Sequence, residues 1–141
     1  MQVFIVGSPI YTAKHLDKLR LNKQIIECSQ ILSALNGKTK AWLNHPCTKQ
    51  YEKHQLWLYY YRMSLMNYKL GNILLAESYS KNADCIRPKF HIQEYYNQMK
   101  RRLYTKNPIH YNLWENLGKS YENWYWSYRE NKWLKYKQLK S

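Results

Sequence analysis

Residues 15–37 read HLDKLRLNKQIIECSQILSALNG, and their spacing decides how the rest of the chain is organised. Leu21, Ile25, Cys28, Leu32 and Leu35 recur at steps of three and four, which places them on one apolar helical face. Asn36-Gly37 closes the pattern in the way a helix usually stops. Thr12 is the expected N-cap of this helix, with Ser8-Pro9 able to begin an earlier turn. A second stripe, Asp17, Arg20, Gln24 and Glu27, runs beside the apolar face at steps of three, four and three. Because it borders the core stripe, its members are expected at the edge of a cleft. Asp17 and Glu27 are the only acids in the first fifty residues. Glu27 therefore has two readings: a surface ion pair with Lys23 one turn earlier, or a catalytic carboxylate facing a substrate.

Outward from this helix, Val3 to Val6 is a short apolar run ended by Gly7-Ser8-Pro9, read as a strand-like arm or an extended tail laid over the core. After a basic loop at residues 38–40, Pro46 forces an extended or turn conformation on His45, which is expected to stabilise a turn. A second helix is expected over residues 48–70, with Tyr51, Leu58, Tyr61, Leu65 and Met66 on its apolar side and Gly71 as its stop. A shorter helical piece covers residues 72–79, and residues 80–88 read as a polar loop. A third helix covers residues 91–104 and ends on the basic run Lys100-Arg101-Arg102. One or two helical turns are expected around residues 111–117. The last segment, 121–139, is basic and aromatic. Its Trp124 and Tyr128 would share a side if it were helical, as would Tyr125 and Arg129. The fold class that results is all-α: one domain over residues 1–141, with three main helices and an extended N-terminal arm.

Charge narrows the partner. The chain of 141 residues carries 23 Lys and Arg against nine Asp and Glu, a net charge of +14. Residues 100–141 hold ten of these cations and three Glu, about half of the excess. Such an imbalance points to a polyanion, and the aromatic content of 16% adds contact with bases to contact with phosphates. No run of eighteen apolar residues and no basic helix with an uninterrupted greasy face points to a membrane. Cys28, Cys47 and Cys85 are scattered and odd in number, the pattern of reduced thiols in an intracellular protein. His45 and Cys47 find no second pair at zinc-ligand spacing, so no metal is expected. No Gly-rich phosphate loop and no nucleophile elbow is present, and no cofactor is expected.

These residues also carry a resemblance. Leu16-Asp17, Leu21 and Glu27, then Gln30-Ile31-Leu32, then Trp42 and Asn44-His45-Pro46, resemble the pyrimidine-dimer DNA glycosylases of the phage endonuclease V family. The aromatic-rich helix of residues 55–71 and the late Trp-Tyr cluster fit the same outline. The likeness runs over residues 11–71. It implies a small basic helical DNA-repair enzyme that excises a damaged base and cleaves the strand at the abasic site. It implies further that the chain's own α-amine, here that of Met1, attacks the deoxyribose C1′ and forms a Schiff base, with Glu27 as the catalytic carboxylate. Such an amine titrates near neutrality, so a useful fraction is unprotonated. Where the family pattern has Arg before the Glu and beside the nucleophilic residue, this chain has Ile26 and Gln2, which bears on the lesion that is read.

The residues expected to hold DNA are Gln2, Arg20, Lys23, Gln24, Arg101, Arg102, Trp124, Trp126 and Arg129, with double-stranded DNA as partner and a monomer as the acting species. The competing class is a non-catalytic nucleic-acid-binding protein that uses the same basic surface.

Overall fold

The computed structural model describes residues 2–118, 124–127 and 132–135. Its body is all-α, as the periodicity predicts. The described helices are α1 (Pro9–His15), α2 (Lys18–Leu35), α3 (Pro46–Gln50), α4 (Gln55–Lys69), α5 (Ile73–Cys85) and α6 (Gln93–Lys106), followed by a 3-10 helix, Asn112–Leu117. The three expected helices correspond to α2, α4 and α6. α5, at 13 residues, is nearly as long as α6 at 14.

Several boundaries differ from the sequence reading, each for a local reason. The first long helix is two helices. Ser8 caps α1, its Oγ accepting the Tyr11 N–H at 3.2 Å with Pro9 at the first helical position. Leu16 then turns extended, and Asp17 occupies the N-cap of α2. Thr12 is therefore not a cap; it is buried inside α1, and its Oγ1 accepts the Val6 N–H at 3.1 Å. The second expected helix is also broken. α3 ends at Gln50, and α4 begins only at Gln55 after a turn. Residues 80–85 continue α5 instead of forming a loop, with Ser80 and Ala83 buried on its inner face. Gly37 and Gly71 act as the stops expected of them. Both have positive φ, 74° and 84°, which only glycine adopts freely.

The last segment is not helical where it is described. Trp124–Ser127 (β1) and Lys132–Lys135 (β2) pair antiparallel, with Trp124 opposite Lys135 and Trp126 opposite Trp133. Four of the eight paired residues are aromatic, a type that favours strands, and the helical reading of this segment gives way where it is described.

The core gathers Val3, Phe4, Ile5 and Val6 with Leu21, Cys28 and Ile31 of α2, Trp57, Leu58, Tyr61 and Leu65 of α4, and Tyr95, Met99 and Leu103 of α6. Residues 2–5 have no regular secondary structure, yet Val3 to Val6 are all buried. The arm is thus an extended tail threaded into the core, and α2, α4 and α6 are its walls.

Candidate active site

A buried segment outside any helix or sheet must satisfy its backbone polar groups by other means. Here side chains do so. The Gln24 amide is the main partner: its Oε1 accepts the Phe4 N–H at 2.9 Å, and its Nε2 donates to the Gln2 carbonyl. Tyr61 of α4 donates to the same Oε1 at 2.9 Å and lies 3.3 Å from the Phe4 carbonyl. The Gln2 side chain reaches Met99 of α6, with Nε2 3.7 Å from Sδ. The α2 face that carries this cradle is centred on Leu21, Gln24, Cys28 and Ile31, while Ile25, Leu32 and Leu35 pack at its margin. Gln24 therefore lies within the buried face, 1% exposed, with its amide turned to the arm at the inner wall of the cleft where the arm leaves the core.

Burial keeps the neighbouring groups neutral. It pushes the Cys47 thiol up to about 12, against the opposing effect of the backbone hydrogen bond with Val3, and it raises Cys28 well above its ordinary range. Both thiols are protonated at neutral pH and are not nucleophiles. Burial likewise raises Tyr61, which keeps its proton as a hydrogen-bond donor. His45 accepts the Cys47 N–H on Nδ1 at 3.1 Å and so caps α3, as its place before Pro46 suggests.

At the point where the arm leaves the core, a cleft of about 180 Å³ opens between α2, the arm and the end of α6. Gln2, Phe4, Leu19, Arg20, Lys23, Gln24, Glu27 and Lys106 line it. Glu27 is half-buried there, and its Oε2 accepts the Gln2 backbone N–H at 3.1 Å. The ion pairs among the described residues are Asp17–Arg20 at 3.1 Å and Glu94–Arg101 at 3.9 Å, so Glu27 is held by the arm and not by Lys23. Three cations, Arg20, Lys23 and Lys106, surround one carboxylate in a concave, partly apolar site. Such a site attracts an anionic ligand and favours positive charge that develops next to the carboxylate.

The expected site residues divide accordingly. Gln2, Arg20, Lys23, Gln24 and Glu27 meet at this cleft. Arg101 and Arg102 do not line it. Arg101 donates from Nε to the Leu117 carbonyl at 2.8 Å, and Arg102 lies where its charge acts on Cys47 and Tyr95. Met1 and Arg129 lie outside the described residues, and of Trp124 and Trp126 only the backbone pairing is described. The sequence reading missed Lys106 and Phe4. Lys106 was legible in principle: it continues the buried row Tyr95, Met99, Leu103 to the last residue of α6, and its Nζ comes within 6.0 Å of the centre of the Phe4 ring. No group of three or more potential metal ligands exists among the described residues, and no described helix is long and apolar enough to cross a membrane.

Residues 1–68 match the family model described as pyrimidine dimer DNA glycosylase. The match covers the arm, α1, α2, α3 and nearly all of α4, just under half of the chain, so the resemblance read from Leu16-Asp17, Glu27 and Asn44-His45-Pro46 holds over the part that builds the arm and its cradle. No curated protein and no solved structure matches the chain.

Proposed function

Proceeding from that pyrimidine dimer DNA glycosylase match, we propose that the chain is a DNA-repair glycosylase with abasic-site lyase activity, in which the α-amine of Met1 is the nucleophile and Glu27 its catalytic carboxylate. The observation that carries this reading is the hydrogen bond from the Gln2 N–H to Glu27, inside a cleft ringed by Arg20, Lys23 and Lys106. The α-amine belongs to the residue joined covalently to that nitrogen.

In this mechanism the unprotonated amine attacks C1′ of the damaged nucleoside. The glycosidic bond breaks, and its electron pair leaves with the base, which takes up a proton. The C1′–O4′ bond then opens, O4′ is protonated, and a Schiff base remains between C1′ and the amine. Loss of a proton from C2′ expels the 3′ phosphate and cuts the strand. The Glu27 carboxylate stabilises the positive charge at C1′ and the amine, and can carry protons in the ring-opening and elimination steps. A free α-amine suits this work because it titrates about two units below a lysine. The Gln24–Tyr61 cradle supports the reading by fixing Gln2 and Phe4 of the arm next to the α2 face that carries Glu27. Arg20, Lys23 and Lys106 supply the phosphate contacts, and a lesion inside a duplex must be exposed to reach the site.

Incubation with ultraviolet-irradiated or abasic duplex in the presence of borohydride tests the proposal. A covalent protein–DNA adduct is expected. It should disappear when the N-terminus is blocked, and Glu27→Gln should abolish turnover while leaving DNA affinity nearly intact. No adduct on either substrate overturns the enzyme reading and leaves a nucleic-acid-binding protein. An adduct that survives a blocked N-terminus moves the nucleophile to a lysine of the cleft, Lys23 or Lys106.

A further inference from the structure

Asp17 occupies the N-cap of α2 with extended backbone, the place where an aspartate normally accepts an N–H of the first helical turn. It makes no such bond. Its carboxylate is turned to two other partners. Oδ1 accepts the Tyr111 hydroxyl, and Oδ2 accepts Arg20 Nη1 at 3.1 Å. The Asp17 backbone N–H donates back to the Tyr111 hydroxyl oxygen at 2.9 Å, which closes a two-bond clamp between residues 94 apart in the chain. Forgoing a cap costs α2 about 1 kcal/mol of local stability, so the diverted carboxylate calls for a purpose.

Tyr111 is built to hold its end. It is fully buried, and its ring stacks on Trp114 at 5.5 Å with the planes 6° apart. The segment is pinned on both sides: the Tyr111 N–H donates to the Asn107 carbonyl at 3.0 Å, and the His110 ring lies 3.0 Å from the His15 carbonyl. Burial, followed by the bond to Asp17, raises the phenol well above its ordinary range, so it remains a donor at any working pH. Arg20 stands at the other end of this chain of bonds, 18% exposed at its side chain and lining the cleft. A guanidinium has five N–H donors in a rigid fork. With one of them on Asp17, the fork is held in one orientation while the others stay free for a phosphate.

We propose that Tyr111 and Asp17 are positioning residues which aim Arg20 as the phosphate-binding cation of the cleft. The proposal rests on the DNA-cleft reading above and extends the site beyond residues 1–68, since Tyr111 lies outside the matched region. A carboxylate beside a cation would otherwise only weaken its attraction for DNA. Here the gain is order: the side chain loses no rotamer freedom when the phosphate arrives.

The test is salt-dependent binding of the full chain to a short duplex with a non-cleavable abasic analogue, with thermal unfolding measured in parallel. Arg20→Ala should flatten the log–log salt slope by about 0.9, the value of one phosphate contact. Tyr111→Phe keeps the ring and its packing and removes only the hydroxyl. It should weaken binding severalfold in the native background and add nothing in the Arg20→Ala background. Asp17→Asn removes the negative charge. Under positioning it weakens binding; under simple charge neutralisation it tightens it, so a tighter Asp17→Asn variant overturns the proposal. Equal losses from Tyr111→Phe in both backgrounds, or a lower melting temperature with unmoved affinity, also overturn it. If native protein binds and is trapped by borohydride while these variants behave as native, positioning alone has failed. If native protein does not bind the duplex at all, the glycosylase reading falls and this proposal falls with it.

Discussion

The N-terminal arm and the cluster of Tyr51, Trp57, His91 and Tyr95 are both buried and both contain polar groups, yet they are held in different ways. In the arm, backbone groups that have no helix or sheet to join are met one by one by side chains: Gln24 for Gln2 and Phe4, Thr12 for Val6 and Glu27 for the Gln2 N–H. In the cluster the polar atoms ride on rings whose main role is packing. Tyr51 stacks on Trp57 at 5.4 Å, Trp57 on Tyr61 at 5.1 Å and His91 on Tyr95 at 5.2 Å. Among the described residues, His91 Nδ1 and Trp57 Nε1 are buried without a hydrogen-bond partner. The arm is therefore specified by hydrogen bonds and the cluster by shape. Loss of one amide should damage the first more than loss of one hydroxyl damages the second.

Gln24→Leu puts that contrast under the heaviest load. The change is close to isosteric, but it strands the buried Phe4 N–H, takes an acceptor from the buried Tyr61 hydroxyl and frees the Gln2 carbonyl at the cleft. At about 1–3 kcal/mol for each buried unsatisfied group, a loss of about 3 kcal/mol is expected in urea unfolding. If the proposed mechanism holds, release of the arm should also abolish borohydride trapping, because the Gln2 N–H is no longer held on Glu27. A loss below about 1 kcal/mol with trapping intact would mean that packing of Val3, Phe4 and Ile5 holds the arm without the amide. Tyr51→Phe is the matching change in the cluster. It removes the hydroxyl that lies 2.8 Å from His91 Nε2 and 3.3 Å from the Tyr95 hydroxyl, while the stacked ring stays. About 1 kcal/mol is expected, with trapping unaffected. Equal costs for the two variants would erase the distinction.

The cluster should in turn be the more sensitive to acid. Burial, helped by the charges of His54 and Arg87, holds His91 well below its ordinary value, and burial lowers His54 and His45 in the same direction. A histidine whose folded pKa is depressed binds its proton more readily in the unfolded chain. Between the folded value and about 6.5 the unfolded state holds more protons, so stability falls as pH falls through that window and is level above it. Melting temperature measured from pH 8 to pH 5 should decline below about 6.5, and His91→Gln should flatten the decline. A flat native profile would show that His91 is not held neutral.

The same contrast explains what could be read in the sequence. Helices announce themselves by repetition, so α2 and α4 are visible in the spacing of Leu21, Cys28, Leu58 and Leu65, and α6 in the segment that ends on Lys100-Arg101-Arg102. The stripe Arg20, Gln24, Glu27 was visible for the same reason, and its three members do share one cleft with Gln2 and Lys23. The arm has no period, since each of its bonds is made to a different element. Nothing in the sequence near Gln24 shows that a backbone will lie against it, so its place at the cleft is legible and its burial against the arm is not. The division of the first helix at Leu16 was hidden as well: the Asp17 side chain that follows it bonds to Tyr111, 94 residues distant, and not to the first turn of α2. The hairpin Trp124–Ser127 with Lys132–Lys135 was missed because aromatic residues fit either period over so short a run.

The smallest effect on stability is expected on the arm's solvent side, and it separates the arm's two roles. Lys106 lies over the Phe4 ring with its Nζ 6.0 Å from the ring centre, at the edge of the range where a cation gains from an aromatic face, and the residue is exposed. Lys106→Gln should thus change unfolding free energy by less than about 0.5 kcal/mol, the usual range for a surface position. If the cleft binds DNA, the same change removes one of its three cations, and the salt slope should flatten by about 0.9 as for a single phosphate contact. The inner side of the arm, at Gln24, would then govern stability and trapping together, while the outer side governs affinity alone. A Lys106→Gln protein that is clearly destabilised would place the Phe4–Lys106 contact in the packing of the arm. One that is stable and binds with the native slope would remove α6 from the DNA surface and leave the cleft to Arg20 and Lys23.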